Sequence, residues 1–127
     1  MENEQKVTQK MSVLLLCNDK VSGATYKKSI YDQQAFTSVN SVEYSAVKEK
    51  LHKGAHGIVA MITDQAKIEE AALVMEKYSK YEIRVLVAGN PDIKEQLATK
   101  FADQGWNLFQ ESQHADIKLF LKERFTT

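Results

Sequence analysis

The sequence predicts a single-domain α/β protein: a three-layer sandwich around a five-stranded parallel sheet in the order 2-1-3-4-5. Three observations predict it. Apolar runs of strand length recur at 13–17 (VLLLC), 57–62 (GIVAMI) and 83–89 (IRVLVAG), the mark of strands buried on both faces. Amphipathic helical segments lie between them. Strand and helix patterns alternate along the chain, which implies crossover connections and helices on both faces of a parallel sheet. Five strands in 127 residues suit the doubly wound order, whose ligands bind at the carboxyl ends of the strands.

Each element has its own signal. The stretch 35–39 (AFTSV) is β-branched and aromatic but polar enough for an edge strand, and 107–110 (NLFQ) is a short fifth strand. A first helix is expected over 23–34. A second is expected over 41–54, with Val42, Ala46, Val47 and Leu51 on one stripe and Gly54 as its stop. A third runs over 64–81 behind Asp64 as cap, with Ile68, Ala71, Ala72, Met75 and Tyr78 inward. In the fourth, over 90–105, Asn90 caps, Pro91 occupies the first turn, and Gly105 ends the helix. The last, 114–125, turns Ile117, Phe120 and Leu121 inward.

Composition limits the function. Lys+Arg and Asp+Glu both number 17, so the formal charge is zero. A general nucleic-acid or membrane-surface binder would need a basic excess, so neither partner is expected. No apolar run approaches the ~20 residues of a bilayer span. The single cysteine precludes an internal disulfide, and a reducing cytoplasm is the expected compartment. The opening MENEQKVTQK is polar and lacks the apolar stretch of a secretory signal. Residues 1–11 are expected to form a flexible extension of a domain over 12–127.

The predicted sheet gives its loops an address. Cys17, Asn18 and Asp19 follow strand 1, Thr63 and Asp64 follow strand 3, and Asn90 follows strand 4. Cys17, Asn18, Asp19, Asp64 and Asn90 are therefore the candidate ligand pocket. Asp19 and Asp64 are weak metal candidates, and each has the alternative of capping the helix after it. A thiolate at Cys17 could be activated by the helix that follows; otherwise Cys17 is a small buried hydrophobe. His52 and His56 are four apart, but Gly54 between them argues against a shared helical face. Trp106, Phe109 and Phe125 cluster near the C-terminus and are the candidate interface.

From 12 to 125 the layout resembles the response-regulator receiver (CheY-like) family. VLLLCND is similar to a receiver first strand with its acidic pair, Asn18 and Asp19 standing in those places. VKEKLHKGAHGIVAMI resembles the second helix and third strand, IRVLVAGNPDIKEQLATKFADQGWNLFQES the fourth strand to the fifth, and ADIKLFLKERF the final helix. The resemblance implies a CheY-like, flavodoxin-like fold. It also implies Mg²⁺-dependent phosphorylation of an aspartate ending strand 3, but Ile62 falls at that place. Ala88 falls where the family has Thr or Ser, and Gln110 or Glu111 where it has lysine. A degenerate pseudo-receiver is therefore expected: a bacterial signalling or regulatory module, without catalytic residues or cofactor, that binds a protein partner or a second copy of itself. By the same analogy, strand 5 and its flanking helices supply the contact face.

The alternative is a small phosphate- or nucleotide-handling protein that uses the segment from Cys17 to Thr25. The sugar-phosphotransferase IIB proteins and the low-molecular-weight tyrosine phosphatases place a cysteine there. Both need a tight loop of backbone N–H groups around the phosphate. Here CNDKVSGAT has one glycine, Gly23, an acid two residues after the cysteine, and no arginine. A flavodoxin-like cofactor binder is a third possibility, but no Ser/Thr-rich phosphate loop of the required quality follows strand 1.

Overall fold

The structure, a computed structural model, describes residues 11–31, 36–47 and 55–126. Strands β1 (Met11–Cys17), β2 (Phe36–Glu43), β3 (Gly57–Ile62), β4 (Ile83–Ala88) and β5 (Asn107–Gln110) form one sheet in the order β2-β1-β3-β4-β5. Every pairing is parallel. With helices α1 (Lys20–Ile30), α2 (Ile68–Met75), α3 (Pro91–Lys100) and α4 (His114–Thr126), this is a flavodoxin-like α/β fold.

The period-two alternation of the strands divides the core into two layers. On one face Leu14, Leu16, Ile58, Ala60, Ile62, Leu86 and Ala88 meet α2 and α3 through Ile68, Ala71, Met75, Ile93 and Leu97. On the other, Val13, Leu15, Val59, Met61, Val85 and Val87 meet α1 and α4 through Tyr26, Ile30, Ile117 and Leu121. All six residues of β3 are buried, which is why its sequence is an unbroken apolar run.

β2 departs from the sequence expectation. It does not stop at Val39 but runs to Glu43, so Val42 pairs with Leu16 in a strand instead of lying on a helical stripe. Tyr44–Ala46 is then one 3-10 turn. The reason is tertiary. β1 offers a ladder of seven residues, and continued pairing along it overrides a helical spacing that Val42, Ala46 and Val47 also satisfy. The rest of that expected helix, 48–54 with His52, lies outside the described residues.

The β1–β2 register also shifts, Met11 pairing with Phe36 and Ser12 with Ser38. Thr37 is thus an extra residue, and Phe36 and Val39, an odd number apart, both join the α1–α4 layer. Met11 is not part of an extension: it opens β1 and is fully buried. Residues 1–10 lie outside the described residues.

Other boundaries move less. α1 starts at Lys20 and ends at Ile30, not at 23 and 34. The third expected helix is α2 flanked by 3-10 turns, Gln65–Lys67 before it and Glu76–Tyr78 after it. Gly105 has φ +82°, a left-handed conformation that favours glycine, and the Arg84 guanidinium lies over it. Among the described residues no helix is long and apolar enough to cross a membrane.

Candidate functional site at the carboxyl edge of the sheet

All four βα junctions described by the structure open on one edge. Only Asn18 and Asp19 separate β1 from α1. Asp19, in extended backbone, accepts the Ser22 N–H on Oδ1 (2.8 Å) and the Ser22 hydroxyl on Oδ2 (2.9 Å), the hydrogen-bond pattern of an N-cap. The Ser22 backbone N–H, then its hydroxyl, hold the Asp19 carboxyl below its usual range.

Asn18 joins two strands. Its Oδ1 accepts from the Thr63 N–H (2.7 Å), the Thr63 hydroxyl (3.3 Å) and the Asp64 N–H (3.2 Å). The ends of β1 and β3 are clasped by one carboxamide oxygen, while its Nδ2 is buried with no hydrogen-bond partner among the described residues. Asp64 caps the turn before α2 by accepting the Ala66 N–H (3.0 Å). Asn90 caps α3 by accepting the Ile93 N–H (2.9 Å), and Pro91 follows it as expected. Gly89 N–H donates to the Ile62 carbonyl (2.8 Å), and a Cβ on Gly89 would lie 2.9 Å from Thr63 Cα. β3 and β4 therefore end in backbone contact that glycine alone permits.

Cys17 is 1% exposed, and its thiol points at the Val42 carbonyl (3.6 Å). Burial pushes its pKa up to about 11, with the carboxylates of Glu43 and Asp19 adding to the rise. A Cβ on Gly23 would lie 2.5 Å from the Cys17 sulfur. Gly23 thus serves the packing of α1 on β1. The expected loop from Cys17 to Thr25 is corrected in the same way, because residues from Lys20 onward are helical. A short connection with an N-capping aspartate starts the helix before any phosphate-sized loop can form.

None of the crevices among the described residues is lined by all five pocket candidates. The crevice at this edge, about 430 Å³, lies further along. It is bounded by α1 at Thr25, Tyr26 and Ser29, by Gly89–Asn90–Pro91, and by Gln110–Glu111–Ser112 with His114. Asn90 is the only one of the five on its wall. Gln110 and Gln113 form a reciprocal capping pair where β5 passes into α4, the Gln110 N–H donating to Gln113 Oε1 at 2.8 Å. That Gln-x-x-Gln spacing is a readable signal for the junction. Tyr26 reads in sequence only as a core aromatic.

Among the described residues no three His, Cys, Asp or Glu side chains are grouped to hold a metal. His56 lies at the opposite, amino edge. Its Nδ1 accepts the Ser12 N–H (2.9 Å), and the His56 backbone N–H donates to the Ser12 carbonyl (2.7 Å).

The interface candidates separate. Trp106 packs on the α2–α3 layer, edge-on to Phe101 (6.4 Å between centroids) and beneath the Arg84 guanidinium (5.6 Å). Phe109 packs on the α1–α4 layer against Phe120 (5.6 Å). Both are half-buried, on opposite faces of the sheet. The side chain of Phe125 lies outside the described residues.

No family model, curated protein or solved structure matches this chain.

Proposed function

We propose that this protein is a non-catalytic relative of receiver domains, a pseudo-receiver acting as a regulatory or protein-interaction module in signalling. One observation carries the reading: the groups that could do chemistry beside β1 and β3 are held by the fold itself. Asp19 and Asp64 cap helical turns, and Asn18 clasps two strands. Ile62, where the receiver resemblance puts the phosphoacceptor, is fully buried in the α2–α3 core layer. A contact face around β5 and α4 is supported by Leu119, which is 53% exposed on α4, next in sequence to half-buried Phe120. The partner is a protein or a second copy of the chain.

The thiol chemistry of the alternative reading is disfavoured by a raised pKa and a closed thiol.

The test is thermal melting of the full chain with Mg²⁺, with and without beryllofluoride. The expected result is no change in Tm. Tight binding would raise it by several degrees, and a rise requiring both additives would mean a working acceptor aspartate and overturn the proposal. Iodoacetamide at neutral pH separates the alternative, with Cys17 expected to react only on unfolding.

A further inference from the structure

Charge is unevenly shared among the described helices. α1 carries Lys20, Lys27 and Lys28 and no acid, while α2 carries Glu69 and Glu70 and no cation. α3 and α4 mix both signs. The same two helices hold the two most exposed large hydrophobic residues among those described, Val21 at 76% on α1 and Leu73 at 67% on α2. A lone exposed apolar residue is ordinary. Here each of the two sits among charges of one sign, and the two signs are opposite.

The two surfaces also match in spacing. Lys20 and Lys27 are seven positions apart, and so are Glu69 and Glu76, the latter in the turn that continues α2. At 1.5 Å per residue both spans are about 10 Å. Laid antiparallel, α1 and α2 bring Lys27 and Lys28 to Glu69 and Glu70, and Lys20 to Glu76. Val21 and exposed Ala24 then face Leu73. The last turn of α1 meets the first turn of α2, so the macrodipole ends attract as well. Glu69 is shared with Lys100 of α3 (2.9 Å), and the charge of Lys67 acts on Asp19. Glu70 and Glu76 therefore make the acidic surplus, with Lys77 beside them.

α1 and α2 pack on opposite faces of the sheet, so they cannot meet within one molecule. Between copies they can, and every copy offers both halves. A chain of zero formal charge adds no net repulsion to the encounter.

We infer that this protein self-associates head to tail, the cationic α1 of one copy seated antiparallel on the acidic α2 of the next. The contact is heterologous, so it propagates into a ring or an open row instead of closing at a dimer. It is weak, because exposed ion pairs contribute little singly, and it is sensitive to salt. The inference goes beyond the pseudo-receiver reading. It uses neither β5 nor α4, and its outcome is independent of any phosphoacceptor.

The test is sedimentation velocity of the full chain over a concentration series at low salt. The average sedimentation coefficient should rise with concentration and return to the monomer value at about 1 M NaCl, where the screening length is ~3 Å. Two variants then separate the faces. Lys27→Gln with Lys28→Gln neutralises α1, and Glu70→Gln with Glu76→Gln neutralises α2 while leaving the Glu69–Lys100 pair. All four positions are exposed, and glutamine is a good helix former, so folding is kept. Each variant alone should stay monomeric where the wild type associates. Their equimolar mixture should form dimers and nothing larger, because it retains one unaltered α1 and one unaltered α2. A wild-type chain that is monomeric throughout would overturn the inference. So would association indifferent to salt, either variant associating alone as the wild type does, or a mixture that stays monomeric.

Discussion

The carboxyl edge of this sheet has two halves of opposite character. Beside β1 and β3, polar side chains are turned onto the backbone: one Asn18 oxygen takes three donors and Asp19 takes two. Beside β4 and β5, Asn90 and the Gln110–Gln113 pair perform the capping. Thr25, Ser29, Glu111 and Ser112 line an open crevice. In a doubly wound sheet the cleft for ligands is expected near the switch between strands 1 and 3. Among the described residues structural hydrogen bonds occupy that place, and a crevice of about 430 Å³ lies toward the ends of β4 and β5. Topology says where loops gather; the hydrogen-bond accounting says which of them are free to act.

The comparison can be tested from its closed side. The largest effect is expected from Gly23→Ala, which drives a methyl to 2.5 Å from the Cys17 sulfur. Overpacking should cost about 2–3 kcal/mol by urea denaturation, net of the higher helix propensity of alanine. Cys17→Ala in the same chain should recover most of it, and a double-mutant cycle with no coupling would show that α1 is not pinned by this contact. Next is Asn18→Ala. It orphans the Thr63 and Asp64 N–H groups, and a loss of about 2 kcal/mol is expected. A negligible loss would mean that water replaces the clasp and that this half is not closed. Asp64→Ala removes a single cap acceptor and should cost about 1 kcal/mol.

The smallest effect is electrostatic. Asp19 has a depressed carboxyl pKa in the folded chain. Its stabilising contribution is therefore complete above the unfolded-state value and is lost as pH falls through the lower folded one. Asp19→Asn keeps a capping oxygen and removes the titration, so unfolding midpoints should fall less steeply with acid. Superimposable acid limbs for the two proteins would refute the assignment.

Much of the sheet was readable in sequence because strands buried on both faces have to be apolar throughout. β3 met that condition along its whole length, β1 from Val13 and β4 from Val85, and Asn90–Pro91 announced α3. The end of β2 was not readable. Ser41, Val42 and Glu43 suit a helix start as well as a strand, and only the ladder on β1 decides between them. The capping alternatives for Asp19 and Asp64 could be stated from residue type and position. The three-donor clasp of Asn18 could not, since two of its donors are backbone groups some 45 positions away. Nothing local distinguishes Tyr26 from an ordinary core tyrosine.

The two borders of the sheet carry a consequence for recognition. β2 holds the extra residue Thr37, and β5 is only four residues long. An irregular border and a very short one are poor templates for a strand from another molecule. Association through a continuous intermolecular sheet is thus discouraged at both margins, and any recognition of another molecule would fall to side chains on helices and loops, where selectivity is set residue by residue.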